Sequence, residues 1–317
     1  DLFNSDIDKY IEYNLNDVEI VKRLDEKLKF IDLAKAICHK GHIPYQRIHI
    51  TTAYLEGAIL THTHRLGIVT KNITRGIVKE GKFSGAYVKV PNPGRYDWIY
   101  DLDLTSLYPS IIMTINISPE TKMGKIEDWD AQDFVKDKRE LWKINGDTIK
   151  QDNLKLFLER SKYSVASNGV LYRTDVVGCI PDILDLWFSQ RVEFRKLEKK
   201  YGESGEKEKY AFYKKRQLVQ KILLNSLYGV LGLPAFRFYD VDNATAVTTT
   251  GQTVIKKTAD MCNIKYNKEL GGQPYIFELE DGTKVKRWPN SEIGIKRGGV
   301  VQTVKASEVL QTDDIIL

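Results

Sequence analysis

Apolar residues open the chain at helical spacing: Ile7, Ile11, Leu15, Val18, Val21, Leu24, Leu28 and Ile31 follow at three- and four-residue steps, with Leu33 just beyond. That period lines one face of a helix. Ser5 with Asp8 predicts a capped start, and Asn16-Asp17 predicts a second cap after a short break, so the segment reads as a helical pair. Between Gly67 and Asp103 the period shortens. GIVTKNI, GAYVKV and DWIYDLDL are β-branched or aromatic and separated by Gly, Pro and Asn, which predicts short strands with PNPGRYD as a turn. Residues 111–167 are mixed, with Asn116-Ile117-Ser118-Pro119 as a helix stop or turn. Two helical stretches, about 181–201 and 206–228, flank Gly202-Glu203-Ser204-Gly205 and predict an antiparallel helical hairpin. Past Gly251 a helix, GQTVIKKTADMCNIKYNKEL, leads to a β-like tail with Asp281-Gly282 as a hairpin turn. No internal repeat is visible.

Composition narrows the class without naming a function. The 317 residues allow two compact domains or one elaborate one. Hydrophobic residues at 42% and charged residues at 29% indicate neither disorder nor a membrane protein. No apolar run approaches the roughly 18 residues of a spanning helix. The opening DLFNSDIDKY is too acidic and polar for a signal peptide, so a cytoplasmic protein is expected. Cys38, Cys179 and Cys262 form no CxxC pair, which argues against a disulfide framework or a zinc cluster and for ordinary thiols. All five histidines fall between His39 and His64, and the His62-Thr63-His64 spacing does not share a helix face; structural or surface roles are expected. Net charge is only +5, but between Trp187 and Lys221 there are 11 Lys or Arg against 5 Asp or Glu. The basic excess is concentrated on the predicted hairpin. Such a stripe is either a phosphate-binding face or a solvated helix surface.

Two stretches carry chemistry. In IYDLDLTSLYPSII, residues two apart on a strand share a face, so Asp101 and Asp103 project together. A carboxylate ending a hydrophobic strand is a place for a divalent metal, and the Leu104 carbonyl could add an oxygen; a bare Asp-x-Asp is more often a turn cap, and only its context reverses that reading. On the second hairpin helix Gln217, Lys221, Asn225 and Tyr228 line one face with Gly229 beside them, a set suited to a polyphosphate under a stacked base. Arg191, Arg195 and Lys199 form a parallel basic stripe on the first helix, or a solvated face paired with Glu. Tyr13 and Asp17 stand four apart on the N-terminal helix.

The run from Asp103 to Ile112, DLTSLYPSII, resembles the first palm motif of family B DNA polymerases, and the run from Lys221 to Gly229, KILLNSLYG, resembles their fingers motif. Asn116-Ile117-Ser118-Pro119-Glu120-Thr121, and Phe238-Tyr239-Asp240 with Asn243-Ala244-Thr245-Ala246, are similar to the replicative polymerases of large tailed bacteriophages. The resemblance spans about residues 1–265. It implies an α+β fold: a polymerase palm built on an antiparallel sheet, helical-hairpin fingers, an N-terminal helical remnant of the exonuclease domain and a small C-terminal β extension. The implied bounds are 1–65 for the end of the exonuclease domain or helical linker, 66–180 for the first part of the palm, 181–229 for the fingers, 230–270 for the second part of the palm and 271–317 for a β-rich tail.

The same resemblance implies template-directed nucleotidyl transfer from a dNTP to a primer 3′-hydroxyl, with primer–template DNA as partner and two Mg²⁺ ions as cofactor. Asp103 would bind both ions and the Leu104 carbonyl the nucleotide-side ion. Backbone amides of Ser106 and Leu107 would hold the β and γ phosphates, and Tyr108 would block a ribose 2′-hydroxyl. Arg191, Lys221 and Arg195 would grip the triphosphate with help from Asn225, and Tyr228 and Gly229 would pack on the nascent base pair. Phe83-Ser84-Gly85-Ala86 resembles a degenerate linker between exonuclease and palm, placing Gly85 at the template. Tyr13 and Asp17 resemble the last motif of the 3′→5′ exonuclease site.

The match has departures. No Asp-Thr-Asp follows the helix after Gly251, and no thumb segment is recognised; the sequence runs instead to Gln311-Thr312-Asp313-Asp314-Ile315-Ile316-Leu317, whose flanks lack a Tyr-x-Asp hairpin pattern. The earlier exonuclease carboxylates are likewise not found. The expectation is a palm-and-fingers part of a polymerase completed by a second chain carrying the other catalytic Asp and the thumb, through which a sliding clamp would be reached. A truncated fragment and a non-catalytic polymerase-derived DNA-binding module are the alternatives. The ending VKASEVLQTDDII is similar to β elements of self-splicing insert domains, but no Cys or Ser start precedes it, and an added β subdomain for docking a partner is expected. If phage-encoded, the protein would act in the host cytoplasm.

Overall fold

The first apolar segment folds as a helical pair, as expected, but its break falls well beyond Asn16-Asp17. In the computed structural model, which describes residues 2–73, 85–90, 94, 102–269, 275–278, 284–287, 292–297, 300–305 and 314–316, α1 (Leu2–Ser5) is followed by α2 (Ile7–Leu28) and α3 (Phe30–Gly41). Asp6, not Ser5, caps α2, its carboxylate accepting from the Lys9 N–H at 3.1 Å. Asn16 and Asp17 sit mid-helix with their side chains exposed, where each costs only a few tenths of a kcal/mol. The break falls instead at Lys29, in the left-handed region at φ 55°, where the Asp25 carbonyl and carboxylate take the Lys29 and Ile31 N–H groups at 2.7 and 2.9 Å. After a 3-10 turn at Tyr45–Arg47, α4 (Thr51–Arg65) buries Tyr54, Leu55, Ala58 and Ile59.

Residues 68–73 and 85–90, expected as strands, are irregular, and so is 102–104. A strand needs a ladder partner for its N–H and C=O groups, and among the described residues none pairs with these segments. The predicted strand residues Asp97 to Asp101, most of the PNPGRYD turn, Phe83, Ser84 and the Asp281-Gly282 turn lie outside the described residues.

From α5 onward the chain alternates. The order is α5 (Leu107–Ile115), β1 (Lys122–Glu127), α6 (Ala131–Val135), β2 (Leu141–Ile144), β3 (Asp147–Lys150), α7 (Gln151–Ser161), β4 (Tyr163–Val165), β5 (Val170–Arg173), α8 (Cys179–Glu203), α9 (Lys207–Leu231) and α10 (Val241–Glu269). The five strands form one antiparallel sheet ordered β3-β2-β1-β5-β4, so the expected α+β class with an antiparallel sheet holds. Helices α8 and α9 form the expected hairpin, turned by Gly205 at φ 74°. Helix α10 begins before Gly251 rather than after it, because Asp240 caps it, its Oδ1 accepting from the Asn243 N–H at 3.1 Å.

The chain divides into two units, residues 1–251 and 252–317. Within the first, the main core gathers Leu55, Ile59, Ile112, Leu184, Trp187 and Leu227, so α4, α5, α8 and α9 share one interior. Burying each such side chain contributes about 1.5–3 kcal/mol. A second cluster of Ile126, Trp142, Leu154 and Leu171 fills the sheet's other end. Beyond α10, the second unit holds the hairpin β6 (Tyr275–Glu278) and β7 (Lys284–Arg287), and an antiparallel sheet ordered β10-β8-β9 from β8 (Glu292–Arg297), β9 (Val300–Lys305) and β10 (Asp314–Ile316).

Two polar assemblies brace the first unit. Asn116, buried and left-handed at φ 65°, ends α5; its Nδ2 donates to the Arg173 and Val176 carbonyls at 2.7 and 2.8 Å, and its Oδ1 accepts from the Gly178 N–H at 2.9 Å. Glu120 then takes the Cys179 N–H at 2.5 Å and the Ser118 hydroxyl at 2.7 Å, capping α8 from outside the helix. In the second assembly Lys122 donates to Asp240 and Asp242 at 2.8 to 3.0 Å, and Lys125 reaches Asp242 at 3.1 Å. Burial pushes the Asp242 carboxyl up, but the hydrogen bonds and charges of Lys122 and Lys125 outweigh it and hold the group below its usual range. Cys38 and Cys179 are buried, and burial with the nearby Glu120 pushes the Cys179 thiol up to about 12, so it is inert.

Asn116→Ala strips partners from two carbonyls and an N–H and places a Cβ-bearing aliphatic residue at positive φ. Urea unfolding should show a loss of about 2–4 kcal/mol, and Asn116→Gly a smaller one; an unchanged midpoint contradicts this role. Because the folded Asp242 carboxyl is depressed, its contribution is complete above about pH 4 and is lost as pH falls through the lowered value. The acid limb of unfolding should therefore flatten in Asp242→Asn relative to the parent.

Candidate functional site

The site residues converge on the N-terminal end of α5. Ser106 precedes the helix at φ 51°, with no side-chain cap. The first turn of any helix leaves its N–H groups without intrahelical acceptors. Here Pro109 has none to offer and the Ser110 N–H is spent on the Ser106 carbonyl at 2.9 Å, so the amides of Ser106, Leu107 and Tyr108 stay unpaired among the described residues. Such an end attracts anions.

The hairpin brings cations to it by simple geometry. Gln220 Nε2 donates to Gln190 Oε1 at 2.6 Å, tying α9 to α8 along their length. One residue further each helix has turned about 100°. Since the helices run in opposite directions, Arg191 and Lys221 swing to the same side of the pair. That is the side of α5: Arg191 Nη1 donates to Ser106 Oγ over a long 3.5 Å, and the Tyr228 ring packs on Tyr108 with centroids 4.4 Å apart. Helix α4 lies across α9 from there, where Tyr54 Oη donates to Ser226 Oγ at 3.4 Å. Ser226 and Tyr228, two residues apart, face nearly opposite ways.

Electrostatically the site wants negative charge. Arg191 Nε is buried without a hydrogen-bond partner, and burial with the neighbouring Arg195 holds the guanidinium below its usual range. Lys221 and Asn225 are exposed on the Tyr228 face, and Lys221 has no carboxylate partner among the described residues. Burial, then Tyr108, pushes the Tyr228 phenol up, so the Tyr228 ring stays neutral. Gly229 is exposed, with open space where a Cβ would stand. Arg195 is exposed further out on α8 and lines an open groove with Lys196, Lys199 and Tyr210.

Other expected residues are not drawn into this cluster. Asp103 and Leu104 are exposed on an irregular segment rather than a strand end. Asp101 lies outside the described residues, and among those described no group of three or more His, Cys, Asp or Glu is placed to hold a metal. A carboxylate and a carbonyl are the oxygen donors a hard cation takes, yet they are only part of a shell. Gly85 lies in an irregular stretch with open space at its α-carbon. Tyr13 and Asp17 are exposed on α2, and among the described residues Asp17 belongs to no group of three or more His, Cys, Asp or Glu placed to hold a metal. One contributor was missed: Gly251, where a Cβ would come within 3.0 Å of Tyr108 Cε1. A glycine inside a helix costs about 1 kcal/mol against Ala, which signals such a close approach.

Residues 49–287 match the model of DNA polymerase family B. The chain is 28% identical over 330 aligned residues to the DNA-directed DNA polymerase of Escherichia phage RB69, covering 89% of this chain and 34% of that one. It is 29% identical to the DNA-directed DNA polymerase of Enterobacteria phage T4, covering 83% of this chain and 32% of that one. The family B DNA polymerase structure from Pyrobaculum calidifontis superposes with a TM-score of 0.57 at 24% identity, over 84% of this chain and 30% of that one. The chain thus spans about a third of the length of the curated relatives it matches.

Removing an unpaired, partly buried cation relieves strain in the free protein while removing an anion ligand. Arg191→Met should keep or raise the urea midpoint, yet abolish the rise in melting temperature that pyrophosphate gives the parent. Equal stabilisation of both proteins by pyrophosphate contradicts the site.

Proposed function

The chain belongs to DNA polymerase family B, and from that we propose that it is the palm-and-fingers part of a DNA-directed DNA polymerase, transferring a nucleotide from a dNTP to a primer 3′-hydroxyl. The observation that carries this reading is the meeting of unpaired α5 amides with Arg191 beside the closely packed, tilted Tyr108–Tyr228 pair, an anion seat adjoining an aromatic floor.

The chain's residues divide the work. The Ser106 and Leu107 amides hold the β and γ phosphates, while Arg191 and Lys221, with Arg195 and Asn225, close on the triphosphate from the hairpin. Tyr108, braced by Gly251 and Tyr228, stands where a ribose 2′-hydroxyl would project and selects deoxyribose. Tyr228 and Gly229 offer a flat, uncluttered surface to the nascent base pair, and Gly85 contacts the template. Asp103 and the Leu104 carbonyl would hold Mg²⁺, and two such ions when bound would activate the 3′-hydroxyl and offset charge on the leaving pyrophosphate.

The remaining carboxylate is proposed to come from a second chain bearing an Asp-Thr-Asp hairpin and the thumb, through which a sliding clamp would be engaged. The β-rich tail, 271–317, is the proposed docking element for that chain. Tyr13 and Asp17 are read as the remnant of an exonuclease site. Among the described residues no helix is long and apolar enough to cross a membrane, and host cytoplasm is the proposed location. A non-catalytic DNA-binding module is the second reading, favoured by the absence of grouped carboxylates around Asp103 among the described residues.

Three results test this. The 317-residue chain alone should extend no primer, and adding a chain that carries Asp-Thr-Asp should restore Mg²⁺-dependent extension; robust synthesis by the chain alone overturns the two-chain reading. Asp103→Ala should abolish extension by the assembled enzyme with circular dichroism unchanged, and retained activity would show that Asp103 holds no metal. A matched dNTP should tighten primer–template binding through Arg191 and Lys221, whereas indifference to dNTP supports the non-catalytic module.

A further inference from the structure

The hairpin carries a second group of uncompensated cations, on the side facing α3 and α4. Lys40, in the last turn of α3, is half-buried, and among the described residues its ammonium has one acceptor, Gln190 Oε1 at 3.0 Å, already shared with Gln220 Nε2. Arg65 closes α4, and Arg216 stands one turn before Gln220 on α9. Burial, then Arg216 and Arg65, holds the Lys40 ammonium below its usual range. None of the three has a carboxylate partner among the described residues, although cations nearby do: Lys215 pairs with Asp32 at 3.0 Å and Arg237 with Glu56 at 2.8 Å. Those two acids are the only carboxylates of α3 and α4, so both helices have none left to give. The Arg216 guanidinium lies 4.5 Å over the Phe212 ring and 5.7 Å from Phe194, and among the described residues its N–H fork has no hydrogen-bond acceptor.

A half-buried ammonium crowded by two arginines and held only by amide oxygen is costly unless an anion joins it. Phosphate oxygens suit the mixture of a point cation and planar forks. The group also lies on the side of α9 that meets α3 and α4, where Lys215 pairs with Asp32 and Tyr54 with Ser226, whereas Arg191 and Lys221 turn to the side of α5. Both sides can therefore be filled together. Three cations on three separate helices match a ligand that runs past them rather than one compact ion.

We propose that Lys40, Arg65 and Arg216 form a phosphodiester-binding site that takes the backbone of single-stranded template DNA on the α3/α4 side of the hairpin. This rests on the polymerase reading for the source of the strand, but its residues are separate from those of the triphosphate seat.

The test measures fluorescence anisotropy of a labelled single-stranded oligonucleotide against the full chain over a salt series, with nucleotide binding followed in parallel. Lys40→Met, Arg65→Gln and Arg216→Gln should each weaken oligonucleotide binding roughly 3- to 10-fold whatever the base sequence, and lower the salt slope by about 0.7. Binding of dNTP should stay at the parental level. Arg65 is exposed at a helix end, so Arg65→Gln reports on binding even if Lys40→Met loosens the fold. Unchanged affinity and slope in Arg65→Gln and Arg216→Gln overturn the proposal, as does an equal loss in the distant control Lys138→Gln. Displacement of the oligonucleotide by pyrophosphate in the parent but not in Arg65→Gln marks a free-phosphate site and overturns the template assignment. Failure of the polymerase reading shows differently, as no dNTP binding by the parent while the oligonucleotide losses persist.

Discussion

The side chain of Asn116 ties the end of α5 to the entry of α8, and most of what is proposed for the site depends on that tie. One amide spans the Arg173 and Val176 carbonyls and the Gly178 N–H, while Glu120 caps the helix that follows. Ser106 and Tyr108 sit at the other end of the same short helix, and Arg191 sits on the helix so anchored. With Ile112, Leu184 and Leu227 in one core, the anion-binding end of α5 and the cations of the hairpin are fixed by shared packing rather than by direct bonds. The direct contact, Arg191 to Ser106 at 3.5 Å, is long, and Arg191 Nε has no partner. Site residues left under-satisfied within a well-satisfied frame are what a ligand seat requires.

The hairpin is charged on two sides for a geometric reason. An amide pair at Gln190 and Gln220 holds the helices together, and every residue next to that pair turns outward to one side or the other. Toward α5 stand Arg191 and Lys221; toward α3 and α4 stands Arg216 with Lys40 and Arg65 gathered around it. Some cations of the hairpin are neutralised by neighbours, as with Lys209 and Glu206 at 2.6 Å and Lys215 and Asp32 at 3.0 Å.

Much of this was legible in residue order. The hairpin is written in two amphipathic runs around Gly202-Glu203-Ser204-Gly205, and local glycine chemistry decides its turn. The Lys221–Tyr228 face follows from helical period alone. Tertiary balance decided the rest. Asn16 and Asp17 suggest a cap because their side chains compete with helix bonds, yet a mid-helix cost of tenths of a kcal/mol is small beside a continuous helix through Leu28. Residues 68–73 and 85–90 have strand-like composition, but composition supplies no ladder partner. Asp103 was placed at a strand end by alternation and stands on irregular chain. Gly251 and the Lys40 group depend on contacts between segments far apart in sequence, which no single-segment pattern encodes.

The central claim is that a triphosphate lies between the start of α5 and the α5-facing side of the hairpin. A dNTP bearing an amine-reactive group on its γ-phosphate, incubated with the chain and primer–template and mapped by peptide mass spectrometry, reads the position of that phosphate directly. The account predicts labelling at Lys221, suppressed by unmodified dNTP; labelling centred on Lys40, or spread evenly over the lysines of the hairpin tip, would contradict it.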